Sequence, residues 1–176
     1  MKKIIFIITL LTIIFISNDL TKEKVIIPKE SIRFRVISNS DLDSDIQIKE
    51  KVAYNLEKEV TELLNNSNSI EESRYLLKNN IDLFKDNIEN TLKNNNSNQT
   101  YNINYGQNYF PNKEYKNVLY KEGNYESLVV TLGKGEGKNF WCVLFPPLCL
   151  IDEDKNNVLE YHMLVKDIVN KFLSHK

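Results

Sequence analysis

The hydrophobic period of this chain switches from two to near 3.6 and back to two, and that switch sets the fold class. Ile32-Arg-Phe-Arg-Val-Ile37 alternates, with Ile32, Phe34 and Val36 on one face, which predicts a strand. Asn39-Ser40-Asp41 breaks the strand and offers N-cap side chains to a following helix. Ile48, Val52, Leu56, Val60 and Leu63 then recur at helical spacing, and the polar stretch Asn65 to Ser69 ends that helix. Ile70-Glu71-Glu72 opens a second helix with acids at its positive end, and Leu77, Ile81, Phe84, Ile88 and Leu92 line its face. After the loop Asn94 to Asn98, Tyr101 to Tyr105 alternates again. Tyr109-Phe110-Pro111 reads as a bend or edge, because proline has no N–H to give a ladder. Glu122-Gly123-Asn124 reads as a turn, Tyr125 to Leu132 as a strand, and Gly133-Lys-Gly-Glu-Gly137 as a hairpin turn. The uninterrupted apolar run Phe140 to Phe145 is read as the central strand, and Val158, His162, Val165, Val169 and Phe172 as a last amphipathic helix. The order β-α-α-β-β-β-α predicts one α+β domain over residues 32–175, a small sheet packed with helices.

Ahead of that domain, Met1-Lys2-Lys3 is followed by the uncharged run Ile4 to Ile16, the layout of an export signal. As a helix the run spans roughly 20 Å, short of a hydrocarbon core of about 30 Å. Phe15 and Ile16 are large where a signal peptidase prefers small side chains, so residues 1–20 are read as a signal peptide or a signal anchor. Thr21 to Ser31 is read as a spacer. The domain is then expected to work outside the cytoplasm, held to the membrane through its N-terminal segment at least in transit.

A formal net charge of -1 supplies no excess to displace phosphate counterions, which argues against nucleic acid as the partner. Nine Tyr, eight Phe and one Trp are enough to fill a core, which argues against a disordered chain. The 24 Asn reflect a compositional bias, and the Asn-x-Ser/Thr triplets at Asn65, Asn95 and Asn98 are not read as glycosylation sites.

The candidate chemistry is sparse. Asp41-Leu-Asp43-Ser-Asp45 resembles half of a calcium loop, but Ile46 and Val52 stand where such a loop needs Gly and an acid, so it is read as an acidic helix start. The glycine-rich turn lacks the spacing of a phosphate cradle. No metal or cofactor site is expected from two Cys and two His. Cys142 and Cys149, with Pro146-Pro147 between them, leave three readings open: a disulfide, which an exported location permits, a pair of reduced buried thiols, or a catalytic thiol at Cys142 with His162 as base.

The run Gly133 to Cys149, Gly-Lys-Gly-Glu-Gly-Lys-Asn-Phe-Trp-Cys-Val-Leu-Phe-Pro-Pro-Leu-Cys, resembles the hallmark of the stage II sporulation protein R family of endospore-forming bacteria. Ile32 to Asp41 is similar to that family's opening strand and Asn-Ser-Asp turn, and Tyr109 to Tyr115 with Gly123 to Glu126 is similar to its middle. The likeness spans about residues 32–151 together with the export signal. It implies a non-enzymatic messenger, exported from the forespore into the space before the mother cell. There it would activate a membrane-embedded aspartic protease that removes the pro-sequence of sigma E. Aromatic anchors dominate interfaces of this kind. The candidate contacts are Phe110, Pro111, Tyr115, Trp141, Phe145, Pro146 and Pro147, with Trp141 and Phe145 expected on one strand face and Phe140, Cys142 and Leu144 on the other. Asn39, Ser40, Asp41, Gly133, Gly135 and Gly137 are assigned to structural turns. The competing reading is a secreted enzyme using Cys142 and His162. A lipoprotein-like anchor is disfavoured, because no lipobox cysteine follows the apolar run.

Overall fold

The strand Ile32–Ile37 has a neighbour on each side and joins the two halves of the main sheet. The computed structural model describes residues 25–65, 67–115, 118–149, 165–171 and 174; residues 1–20, read as an export signal, and His162 lie outside the described residues. In chain order the elements are β1 (Val25–Ile26), β2 (Ile32–Ile37), α1 (Asp43–Leu64), α2 (Ile70–Asn79), α3 (Ile81–Asn94), β3 (Tyr101–Phe110), β4 (Lys113–Tyr115), β5 (Val118–Tyr120), β6 (Gly123–Leu132) and β7 (Asn139–Phe145). A helical segment follows at 165–171. The α+β class and the order read from the sequence hold for β2, the helices, β3, β6, β7 and that last segment.

The main sheet has the order β3-β6-β2-β7, with β2 parallel to β6 and antiparallel to β7, and β3 antiparallel to β6. The run Phe140 to Phe145 therefore lies on an edge, not at the centre. Its continuous apolar character comes from cover on both faces: Leu144 joins the cluster under the helices, and Val143 joins a second cluster on the opposite side. β3 is also longer than the alternation of Tyr101 to Tyr105 suggested, and it ends at Phe110 because Pro111 cannot continue the ladder.

The three helices cover one face. Val52, Ala53, Leu56, Val60 and Leu64 of α1 and Leu77, Phe84, Ile88 and Leu92 of α2 and α3 pack on Ile32, Phe34, Val36, Leu128, Val130 and Leu132 of the sheet. The second predicted helix is two helices. At Asn80 the backbone leaves the helical region, with φ -118° and ψ 21°. The side-chain Nδ2 of Asn80 donates to the carbonyl of Leu76 at 2.8 Å, so this amide competes with the backbone for helix acceptors. At the start of α2, Ser69 Oγ accepts from Glu72 N at 3.1 Å while Glu72 Oε2 accepts from Asn68 N at 3.0 Å, close to a capping box. α2 is tied to β6 by Arg74, whose Nε and Nη2 donate to both oxygens of Glu126. Burial pushes the Glu126 carboxyl up, but hydrogen bonds from Arg74 and from Tyr105 Oη outweigh it and hold it below the ordinary value.

A smaller sheet of order β1-β5-β4 covers part of the opposite face. Val25 and Ile27, within the segment read as a spacer, are buried there with Val118, Val143, Leu148, Val165 and Val169. The chain therefore docks on the domain from residue 25 onward, ahead of the boundary set at residue 32. Among the described residues no helix is long and apolar enough to cross a membrane.

Phe84 is fully buried at the meeting of α1, α3 and the sheet. Phe84→Ala is expected to lower unfolding stability by about 3–5 kcal/mol. Urea denaturation checks this as a fall in midpoint with little change in slope.

Candidate functional site

Because β2 lies between β6 and β7, the connection from Leu132 to Asn139 must step across two strand spacings, roughly 9–10 Å, over the end of β2. It is therefore a bridge over β2, not the expected hairpin turn between neighbouring strands. The bridge lies directly on the Asn39-Ser40-Asp41 turn. Gly137 N donates to Ser38 O, Glu136 N to Asn39 O, and Ser38 N to Lys138 O, all between 3.0 and 3.2 Å. Side chains complete the joint: Asn39 Oδ1 accepts from Lys134 N at 2.9 Å and Asp41 Oδ1 from Lys138 N at 2.8 Å. Glycines are required here, Gly135 among them with φ +68° and no room for a Cβ against Thr131. Gly133 has φ +53° and its missing Cβ would fall on the Asn39 side chain, and a Cβ on Gly137 would meet the Ser40 carbonyl.

The turn does not cap α1 as expected. The N-cap is Leu42, with no side-chain cap, because Asn39 and Asp41 are committed to the bridge. The acid that fills the first turn is Asp45. Its Oδ2 accepts from Ser40 Oγ at 2.6 Å and Asn39 Nδ2 at 2.7 Å, and its Oδ1 from Gln99 Nε2 at 2.7 Å. The Ser40 and Asn39 bonds hold the carboxyl below the ordinary aspartate range against the opposing effect of burial. All six turn residues named from the sequence thus lie at one end of the sheet.

The candidate contact residues separate into two groups. On the face away from the helices, Trp141 is half-buried, with the Arg35 guanidinium 4.8 Å from its ring centroid and Lys113 Nζ at 5.5 Å. Arg35 Nε also donates to Asn139 Oδ1 at 3.1 Å. Phe110 stands edge-on to Trp141 at 5.1 Å but is fully buried, so it backs the indole and does not offer a contact surface. Behind it Arg33, 1% exposed, stacks on Tyr125 with its guanidinium carbon 3.3 Å from the ring centroid. This buried cation was not legible as such, since Arg33 and Arg35 look alike in the alternation. Pro111 is exposed, and Tyr115 lies in β4, its side chain outside the described residues.

The second group forms the corner after β7. A register shift between Ile32 and Arg33 pairs Phe145 with Ile32 and Val143 with Arg33. Phe145 therefore packs toward the helix-side cluster, not on the Trp141 face where plain alternation placed it. The Phe145–Pro146 peptide is cis, Pro146 is buried, and Pro147 is exposed. Leu148 N and Cys149 N both return to Val143 O, at 3.1 and 3.3 Å, and Cys142 and Cys149 are joined in a disulfide with Cα atoms 5.5 Å apart. A carboxylate oxygen of Glu57 on α1 lies within 4.8 Å of both sulfurs. With the sulfurs bonded to each other, neither is available as a thiolate ligand or nucleophile.

The family model described as stage II sporulation protein R matches residues 28–155, which include both turns, the Trp141 face and the cysteine corner. Stage II sporulation protein R of Bacillus subtilis (strain 168) is 38% identical over 130 residues, covering 74% of this chain and 58% of that relative. The match thus spans little more than half the length of the relative. No solved structure matches.

Two outcomes follow from the turn joint. Gly137→Ala is expected to destabilise the domain by about 1–3 kcal/mol through forced separation of the two turns, read by thermal unfolding. Asp45 is ionised more readily folded than unfolded, so its contribution is complete above the ordinary aspartate pKa of about 3.9 and is lost as pH falls through the lower folded value. The stability gap between the native protein and Asp45→Asn should therefore narrow as pH drops below about 4. A gap that stays constant in urea titrations from neutral to acid pH would refute this assignment.

Proposed function

This chain belongs to the stage II sporulation protein R family, and we propose that it acts as an exported messenger between the two cells of the sporangium. In this reading it is made in the forespore and passes the forespore membrane on the Met1 to Ile16 signal. It then activates the membrane-embedded aspartic protease that frees sigma E of its pro-sequence in the mother cell. The bond-breaking belongs to the protease, and the messenger contributes binding energy. That energy shifts the protease toward its active form only to the extent that the active form is bound more tightly.

Family membership carries this reading, and the Trp141 face supports it. A half-buried indole flanked by Arg35 and by the exposed Lys113, and backed by a rigid Phe110, has the composition of an interface anchor. The competing enzyme needs a free Cys142 thiolate, and the disulfide to Cys149 occupies that sulfur.

The test is co-expression of this protein with the protease and the pro-sigma E substrate in a non-sporulating host. Processing is expected only with the export segment present. Trp141→Ala, its fold checked by circular dichroism, is expected to weaken activation more than tenfold, in line with about 2 kcal/mol or more for a central aromatic. Processing that proceeds equally without residues 1–20, or a Trp141→Ala variant as active as the parent, would count against the reading.

A further inference from the structure

The β3 edge of the main sheet differs from the other sheet edges among the described residues. In the small sheet, β1 has two residues, and β4 has three, two of them charged. The β7 edge is folded over by its own corner, where Leu148 N and Cys149 N return to Val143 O. β3 runs for ten residues, all paired with β6 in one unbroken register, with no charge, no proline and no bulge. Sheet edges are ordinarily blunted by such devices, because an open row of N–H and C=O groups templates a further strand. The open groups of β3 follow from the ladder. Gly133 N donates to Thr100 O at 2.7 Å, one step beyond the Tyr101–Leu132 pair. Bonded pairs alternate in an antiparallel ladder, so the even-numbered residues of β3 exchange bonds with β6. Tyr101, Ile103, Tyr105, Gln107 and Tyr109 turn their backbone groups outward, and among the described residues those groups have no partner. Tyr109 is 57% exposed. At the middle of the strand a Cβ on Gly106 would meet nothing closer than Asn104 Oδ1 at 3.9 Å, so the fold of one chain does not require glycine there. A glycine inside a strand marks a place where another backbone comes close.

We propose that β3 pairs antiparallel with β3 of a second copy of this chain, about a two-fold axis at Tyr105. That register sets Tyr105 against its own copy, Ile103 against the partner subunit's Gln107 and Tyr101 against the partner subunit's Tyr109. Odd-numbered residues then face odd-numbered residues, so every outward N–H and C=O of the five gains a partner. The exposed Tyr109 ring is covered by a tyrosine on the same face. On the other face Asn102 meets the partner subunit's Asn108, and Asn104 lies over the partner subunit's Gly106. A second copy is the occupant because this edge is self-complementary. Its amides each carry donor and acceptor, and it has no charge to repel its own image. The symmetry is that of an isologous dimer. The two four-stranded sheets become one continuous sheet, with β3 and its copy at the centre and β7 at each end. The pairing does not draw on the messenger reading.

The test is cross-linking of the full chain in neutral detergent. Cys142 and Cys149 are bonded to each other, so an introduced cysteine is the one reactive thiol. Asn104→Cys stands diagonally across the axis from its own copy, about 7–8 Å away by strand geometry and within reach of a short bis-maleimide. Its yield of covalent dimer is expected to exceed at least tenfold that of Tyr54→Cys, which is exposed on α1. Gln107→Pro, added to Asn104→Cys, should remove the excess with the circular dichroism spectrum unchanged, because the N–H it deletes points away from β6. Asn104→Lys places two ammonium groups across the axis and should move the monomer–dimer equilibrium at least tenfold toward monomer in sedimentation. Equal yields for the two cysteines, a yield that Gln107→Pro leaves in place with the fold intact, or an equilibrium indifferent to Asn104→Lys would overturn the proposal. A chain that stays monomeric would also overturn it, and would leave the β3 edge to a strand of another polypeptide. No protease is present, so none of these outcomes bears on the messenger reading.

Discussion

The passage of the glycine-rich bridge across the end of β2 is the constraint on which the rest of the domain depends. A parallel β2–β6 pair and an antiparallel β2–β7 pair can coexist only if the chain from β6 reaches over β2 to start β7. The reach is short, so the bridge rests on the Asn39-Ser40-Asp41 turn at backbone contact distance, and a side chain at Gly133 or Gly137 would occupy space already filled. Asp45 then ties that turn to the start of α1 and to Gln99 just before β3. Three stretches far apart in the chain, residues 38–45, Gln99 and the bridge, are set against one another by a single carboxylate and its neighbours.

From that fixed end, the sheet delivers different chemistry to its two faces. The helix side is a continuous hydrocarbon core from Ile32 to Leu144. The other side is half covered: the small sheet and the segment 165–171 bury Val143 and its neighbours, while Trp141 and Arg35 stay partly open. Arg33 and Arg35 occupy the same face two residues apart. The former is enclosed by Tyr125, Phe110 and Tyr120, with Nη1 reaching Lys121 O at 3.5 Å, and burial pulls its pKa down. The latter remains at the surface beside the indole. Cover by β5 makes one arginine part of the interior and leaves its neighbour half-buried beside Trp141.

The sequence made the layer architecture readable because the helical stripes and the alternation of β2 and β6 each bury one face, and burial on one face imposes a period. It concealed features that depend on distant parts of the chain. Phe140 to Phe145 looked central because apolar residues on both faces signal double cover, and double cover here comes from β1, β5 and the C-terminal segment, not from flanking strands. Phe110 looked like an exposed anchor beside Pro111, yet Tyr125 and Trp141 enclose it. Phe145 changed sides because a single register shift breaks the alternation, which no local pattern announces. Asn80 split a helix whose apolar stripe runs straight through it, since the stripe records packing and the break arises from one side-chain amide. The glycines and cysteines of the Gly133–Cys149 run stand where backbone closeness and covalent closure leave little freedom.

The pairing of β2 with β6 and β7 also sets an order of events for synthesis. Residues 33–37 find their partners only at 127–131 and 139–143, about ninety residues later or more, so the centre of the sheet stays open until the last third of the chain is available. Before that point the helices have no sheet on which to bury their stripes. The covalent corner at Cys149 and the closing of the sheet around β2 therefore come together, late in the chain, as one event.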